Sequence, residues 1–177
     1  MKDKQFLTTV IIIGILDFLI TLLFYIYKPI IGSGFFMIHY VENYGISFGL
    51  LADHQWLVYI GQVIVVYALY KLYKAGIRKE SELGTILLFA GALSFILNRL
   101  IFGFVVDWMR FNIGSYSLIN NTADIMIIIG ILLIFYKTIV DKIHKSNRTI
   151  HLNKKGRLND TNTSFYDVVS MEDIKNE

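Results

Sequence analysis

Two aspartates, Asp107 in VVDW and Asp124 in NTAD, close off the ends of one short stretch in an otherwise apolar chain. Two carboxyl groups held close together cannot both ionise readily, so one keeps its proton. Such a pair supplies a general base and a general acid in one site, which is the chemistry of aspartic peptidases. The base activates water and the acid assists the carbonyl or the leaving amine. A plainer reading fits the same two residues, because carboxylates at a membrane edge are ordinary interfacial groups. The elements around the two acids decide between these readings.

Other chemistries have weaker support. The chain has no cysteine, which excludes disulfide frameworks, thiolate metal sites and cysteine nucleophiles. Its histidines, His39, His54, His144 and His151, do not pair at metal-ligand spacing, so no metal and no cofactor are expected. Lys28 with Ser33 or Ser47 could form a Ser–Lys pair, but nothing around them supports it. The Gly32-Ser33-Gly34 run reads as a turn, not a phosphate loop.

The chain is 55% hydrophobic over 177 residues, above the roughly 45–50% of a soluble domain. The excess falls into four blocks, about 6–27, 56–73, 83–106 and 122–139. A spanning helix needs roughly 20 mostly apolar residues. Backbone amides in hydrocarbon must be paired within the segment, so each block is expected to be helical. Segment 28–55 is different: IIGSGFFMIHYVENYGISFGLL mixes β-formers with glycines, which suggests short strands and turns on the membrane surface. The expected fold is an all-α membrane protein of four transmembrane helices, with a small extracytoplasmic β-type cradle between helices 1 and 2. The membrane domain is expected over 1–144, and a polar, disordered cytoplasmic tail over 145–177. The first block is expected to be a retained span, because its apolar run exceeds the roughly 7–15 residues of a signal-peptide core.

Lys and Arg set the orientation. Fourteen of the 17 basic residues lie before span one, in the connection between spans two and three with its flanks (Lys71 to Lys79), or from Lys137 onward. Both termini are therefore expected in the cytoplasm, and Asp107 and Asp124 at the outer surface. The basic tail reads as part of this bias, so no nucleic-acid partner is expected. Aromatic residues near span ends, such as Trp56, Trp108 and Tyr136, fit interfacial belts in contact with a phospholipid bilayer.

Asp17 and Arg99 lie inside spans, where a charge costs at least about 2.5–3.5 kcal/mol. They could pair with each other and hold spans one and three together, or contact a substrate. Asn98 and Asn121 add further polarity near the two acids. A transporter using Asp17 and Arg99 as a charge relay is a third class of reading. Four spans without broken helices are poor material for it.

Three segments together resemble the bacterial lipoprotein signal peptidases (signal peptidase II). They are NYGISFGLL at 43–51, LLFAGALSFILNRLIFGFVVDW at 87–108, and NNTAD at 120–124. The resemblance runs from Asp17 to about Tyr136. It implies a four-span aspartyl endopeptidase that cuts the signal peptide from diacylglyceryl-modified prolipoproteins, a lipid-modified precursor protein being its partner. The implied catalytic pair is Asp107 and Asp124. The implied substrate-binding set is Asp17, Asn43, Gly45, Gly91, Asn98, Arg99, Asn121 and Ala123. This chain departs from the family's pattern in DFLIT, where Phe18 and Thr21 replace glutamine and lysine. It departs again in SFILNR, where Phe95 and Asn98 replace asparagine and aspartate. The alternative that these departures raise is a paralogue that binds lipopeptide without cutting it.

Overall fold

The structure, a computed structural model, describes residues 2–46 and 50–146. The Ser47-Phe48-Gly49 part of the cradle motif and the tail from 147 onward lie outside the described residues, and with them the expected disorder of that tail. Among the described residues, four helices are long and apolar enough to cross a membrane. Helix α1 is Asp3–Tyr27, α2 is Gln55–Lys74, α3 is Glu82–Phe102 and α4 is Thr122–Ser146. A four-stranded antiparallel sheet joins them in the order β1 (Ile30–Ile31), β2 (Phe36–Asn43), β3 (Val105–Ile113) and β4 (Tyr116–Asn120). Contacts divide the chain after Phe135, within α4, and the first unit holds the whole sheet.

The expected cradle between the first two helices supplies only half of this sheet. The other half comes from the connection between α3 and α4, the short stretch between Asp107 and Asp124 for which no strand was expected. The third helix also ends at Phe102, short of the expected 106. Gly103 stops it, with φ 81 and its N–H donating to the Arg99 carbonyl, a left-handed cap that glycine adopts without a Cβ penalty. The β-branched pair Val105-Val106 then favours a strand. Asp107 therefore sits on β3 rather than at a helix end.

Helix starts follow from local chemistry. Ser81 caps α3, its hydroxyl accepting the Gly84 N–H at 3.1 Å. At the other end of α1, Lys28 adopts φ 43 and Pro29 follows, so the helix cannot continue. Val58 is the only buried residue of α2, which otherwise presents apolar side chains outward on all sides. A helix apolar all round is expected where lipid is the solvent.

The closest packing involves α3. A Cβ on Gly130 would lie 2.7 Å from the Gly84 carbonyl oxygen, and one on Gly91 would lie 2.8 Å from the Ala123 carbonyl oxygen. Each contact pairs α3 with α4, and the two α3 glycines are seven residues apart. Small residues at this spacing let two membrane helices approach backbone to backbone. Gly14 of α1 packs in the same way against Ala90 and Leu93 of α3. A small core of Phe6, Val10 and Ile86, with Tyr73 and Phe89 around it, closes the end of the bundle away from the sheet.

Candidate active site

Asp107 is placed by strand register. Val41 of β2 lies opposite it, and Asn43 lies two residues along on the same face. On the other side Met109 pairs with Asn120. Continuing that antiparallel register brings the first residues of α4 beside Asp107. The pairing thus delivers one asparagine from each neighbour. Asn43 Nδ2 donates to Asp107 Oδ2 at 2.9 Å, and Asn121 Nδ2 donates to Asp107 Oδ1 at 2.6 Å.

Asn121 also organises the second acid. Its side-chain Oδ1 accepts the Asp124 N–H at 3.0 Å, while its own backbone N–H donates to Asp124 Oδ2 at 3.0 Å. This is a reciprocal capping box, with Asn121 at the N-cap and Asp124 three residues on. One asparagine therefore bonds both carboxylates. The only hydrogen bond the described residues give the Asp124 carboxyl is the one at Oδ2. Asp124 is half-buried, whereas Asp107 is only 4% exposed.

Burial pushes Asp107 up to about 6. The hydrogen bond from Asn43 opposes this, the nearby Asp124 charge adds to it, and the Asn121 bond and the Arg99 charge oppose it. The next carboxylate along β2, Glu42, belongs to a different cluster. It accepts the hydroxyls of Tyr40 and Tyr44, each at 2.8 Å, and pairs with Lys28 at 3.5 Å. The Tyr40 bond, followed by that of Tyr44, holds Glu42 below the usual carboxylate range. Burial first, and then Glu42, pushes Tyr40 up.

The remaining polar residues support the strands. Asn43 Oδ1 accepts the Gly45 N–H at 3.0 Å, an Asx-type turn that leaves the amide nitrogen for Asp107. The Arg99 guanidinium donates to the Gly45 carbonyl and so ties α3 to that turn. It does not pair with Asp17: the ion pair weighed from the sequence is not formed. Asp17 is buried with Oδ2 unpartnered, and Thr21 bonds back to the Asp17 carbonyl at 3.1 Å. Asn98 accepts the Val106 N–H at 3.3 Å and donates to the Ser94 carbonyl at 3.0 Å. It staples the end of α3 to the start of β3, one residue before Asp107. Phe95 is half-buried on α3, and Phe18 stacks on Phe102 with ring centres 5.6 Å apart. Gly91 and Ala123 meet at the α3–α4 contact beside Asp124.

Sequence reasoning singled out Asn121 without seeing that it reaches both acids. The N-x-x-D spacing ahead of an apolar run was the available signal. The Asn98 staple and the stacking of Trp108 on Phe24, at 4.1 Å, had no local signal because each joins separate elements. Among the described residues, no group of three or more His, Cys, Asp or Glu side chains is arranged to hold a metal.

The family described as "Signal peptidase (SPase) II" matches residues 8–140. A lipoprotein signal peptidase of Clostridioides difficile is 37% identical over 103 residues, covering 58% of this chain and 68% of its own length. One from Photorhabdus laumondii is 30% identical over 137 residues, covering 71% and 82%. A solved bacterial membrane enzyme superposes with a TM-score of 0.68 at 24% identity, covering 81% of this chain and 92% of that one. A second does so with a TM-score of 0.63 at 25% identity, covering 76% and 92%.

Proposed function

Because the chain belongs to the signal peptidase II family, we propose that it removes signal peptides from lipid-modified prolipoproteins, with Asp107 and Asp124 activating water. The observation that carries this reading is the single asparagine, Asn121, bonded to both acids. It fixes their mutual position through one short side chain at a helix start.

The surroundings favour different roles for the two acids. Both Asp107 oxygens accept amide hydrogens, the arrangement an ionised carboxylate prefers. With a pKa of about 6, Asp107 is still mostly ionised at neutral pH, so it serves as the base. Asp124 has an oxygen, Oδ1, that receives no bond from the described residues, and it carries the proton. Asp107 takes a proton from water as the water oxygen attacks the scissile carbonyl carbon. Asp124 gives its proton to the carbonyl oxygen. When the C–N bond breaks, the proton on Asp107 passes to the leaving nitrogen, and Asp124 recovers its own from the hydroxyl.

The distribution of basic residues supports an orientation with both termini in the cytoplasm and the sheet at the extracytoplasmic face. A precursor anchored by its own acyl chains would then meet the site from the bilayer. The Asn43–Gly45 turn, held by Arg99, borders the place where its peptide would lie. Asn98, Gly91 and Ala123 act through the backbone they position.

The test uses Asp107→Asn and Asp124→Asn in the full chain, assayed on a purified diacylglyceryl-modified precursor, with thermal unfolding as the check on folding. Each variant is expected to fold and to lose cleavage. Retained cleavage in either variant would refute the two-aspartate mechanism. Expression in a strain lacking its own signal peptidase II then separates the peptidase from the lipopeptide-binding alternative, because only the peptidase restores processing.

A further inference from the structure

A second polar cluster lies on the back of the strand that delivers Asn43. Side chains of a strand alternate between its two faces. Val41 and Asn43 share the face of Asp107, while Tyr40 and Glu42, with Tyr44 just beyond the strand, take the other. The Tyr40 hydroxyl donates to Glu42 Oε1 and the Tyr44 hydroxyl to Oε2, each at 2.8 Å. Lys28, at the end of α1, reaches the same Oε1 at 3.5 Å and lies over the Tyr40 ring, 4.9 Å from its centre. The ends of two helices anchor the cluster. The Tyr40 N–H donates to the Pro29 carbonyl at 3.0 Å, just after α1, and the Tyr44 ring packs 5.1 Å from that of Phe104, just after α3.

Resting on the two-aspartate reading above, we propose that Glu42 is a positioning residue: bonded to hydroxyls on either side of Asn43, it holds that asparagine's amide on Asp107. Asn43 lies between the residues that Glu42 joins, and its own Oδ1 and Nδ2 are committed to the Gly45 N–H and to Asp107 Oδ2. A slip of about 1 Å in the backbone here takes the 2.9 Å bond to Asp107 out of hydrogen-bond reach. Positioning and charge act in opposite directions. Removing a negative charge close to Asp107 would move its titration toward acid, whereas losing the Asn43 donor moves it toward alkali. The charges that act on Asp107 are Asp124 of α4 and Arg99 of α3. Those facing Glu42 are Lys28 of α1 and the two phenols, with Tyr25 of α1 beside them. The Tyr40 bond and then the Tyr44 bond hold Glu42 below the usual carboxylate range, so it stays ionised while Asp107 titrates.

The experiment is a profile of kcat/KM against pH for the full chain in lipid nanodiscs, on a diacylglyceryl-modified precursor, with thermal unfolding of each variant. Glu42→Ala is expected to move the acid limb, set by Asp107, toward alkali by up to about one pH unit. Asn43→Ala moves it at least as far, and adding Glu42→Ala to Asn43→Ala moves it no further, because the bond being positioned is already gone. Glu42→Gln accepts one phenol hydroxyl and donates to the other phenol oxygen, so it leaves the limb in place although the charge is removed. If Glu42→Ala does not fold, Tyr40→Phe with Tyr44→Phe removes both hydroxyls and should move the limb the same way. A limb that stays put or moves toward acid in the folded variant overturns the proposal, even where melting falls. So does a shift that adds to that of Asn43→Ala, or one that Glu42→Gln reproduces. Cleavage by Asp107→Asn or Asp124→Asn would instead overturn the two-aspartate reading itself, so the two failures are distinguishable.

Discussion

Asn121→Ser separates the two jobs that Asn121 performs. Serine caps helices about as well as asparagine, so its hydroxyl can still accept the Asp124 N–H. It has no amide to reach Asp107, so the 2.6 Å bond to Oδ1 is lost. Hydrogen bonds to charged groups contribute about 1.5–3 kcal/mol, and one pKa unit is about 1.4 kcal/mol. Asp107 is buried, so water does not readily replace the lost donor. The pKa of about 6 should therefore rise to roughly 7–8. The acid limb of kcat/KM against pH should follow it. At pH 7 the rate falls about two- to tenfold, and the deficit shrinks as pH rises. Below about pH 5, where Asp107 is protonated in the fold, melting of the variant in detergent should change little; as pH rises the variant should lose stability with the missing bond, and Asn121→Ala should lose a further ~0.5–2 kcal/mol with the cap. An acid limb still at about 6, or a rate reduced by one factor at every pH, refutes the claim that Asn121 tunes Asp107.

Asp107 should also make stability depend on pH. Its value in the fold, about 6, lies above the ordinary 3.8, so folding favours the protonated form. The stability it contributes is complete below about pH 3.8 and is lost as pH rises through about 6, to a total of about 3 kcal/mol. Asp107→Asn should therefore melt higher than wild type at pH 8, with the gap closing near pH 3.5; equal melting at pH 8 would count against this burial cost. Gly91→Ala drives a Cβ to 2.8 Å from the Ala123 carbonyl oxygen, beside Asp124. Overpacking of this kind costs about 1–3 kcal/mol, and both melting temperature and cleavage should fall, which a melt and a cleavage assay would check together. Asn98→Asp keeps the acceptor for the Val106 N–H but sets a carboxylate against the Ser94 carbonyl. It should lower stability by about 1–3 kcal/mol, despite restoring the residue the family pattern carries, and thermal unfolding would measure the loss.

Much of the architecture was legible in one dimension. The bilayer demands long apolar segments with internally paired backbones, so four spans could be read from hydropathy alone. Asp107 and Asp124 stood out because acids are rare beside such segments. The helix limits were less legible. The third apolar block reads continuously through Val106, and only Gly103 marks the change from helix to strand. The β3–β4 hairpin was missed for the same reason: within a greasy sequence, strand and helix share residue types, and pairing partners decide between them.

What the sequence determined by itself was the set of groups available: two acids near one membrane edge, a capping pair spaced N-x-x-D, and small residues at helical spacing. What only the tertiary structure decided was which groups meet. Asn43 reaches Asp107 across 64 positions of chain because β2 pairs with β3. Arg99 turns to the Gly45 carbonyl and leaves Asp17 without it. Hydrogen bonds act over about 3 Å, a distance that strand register and helix packing set and that residue spacing along a chain leaves open.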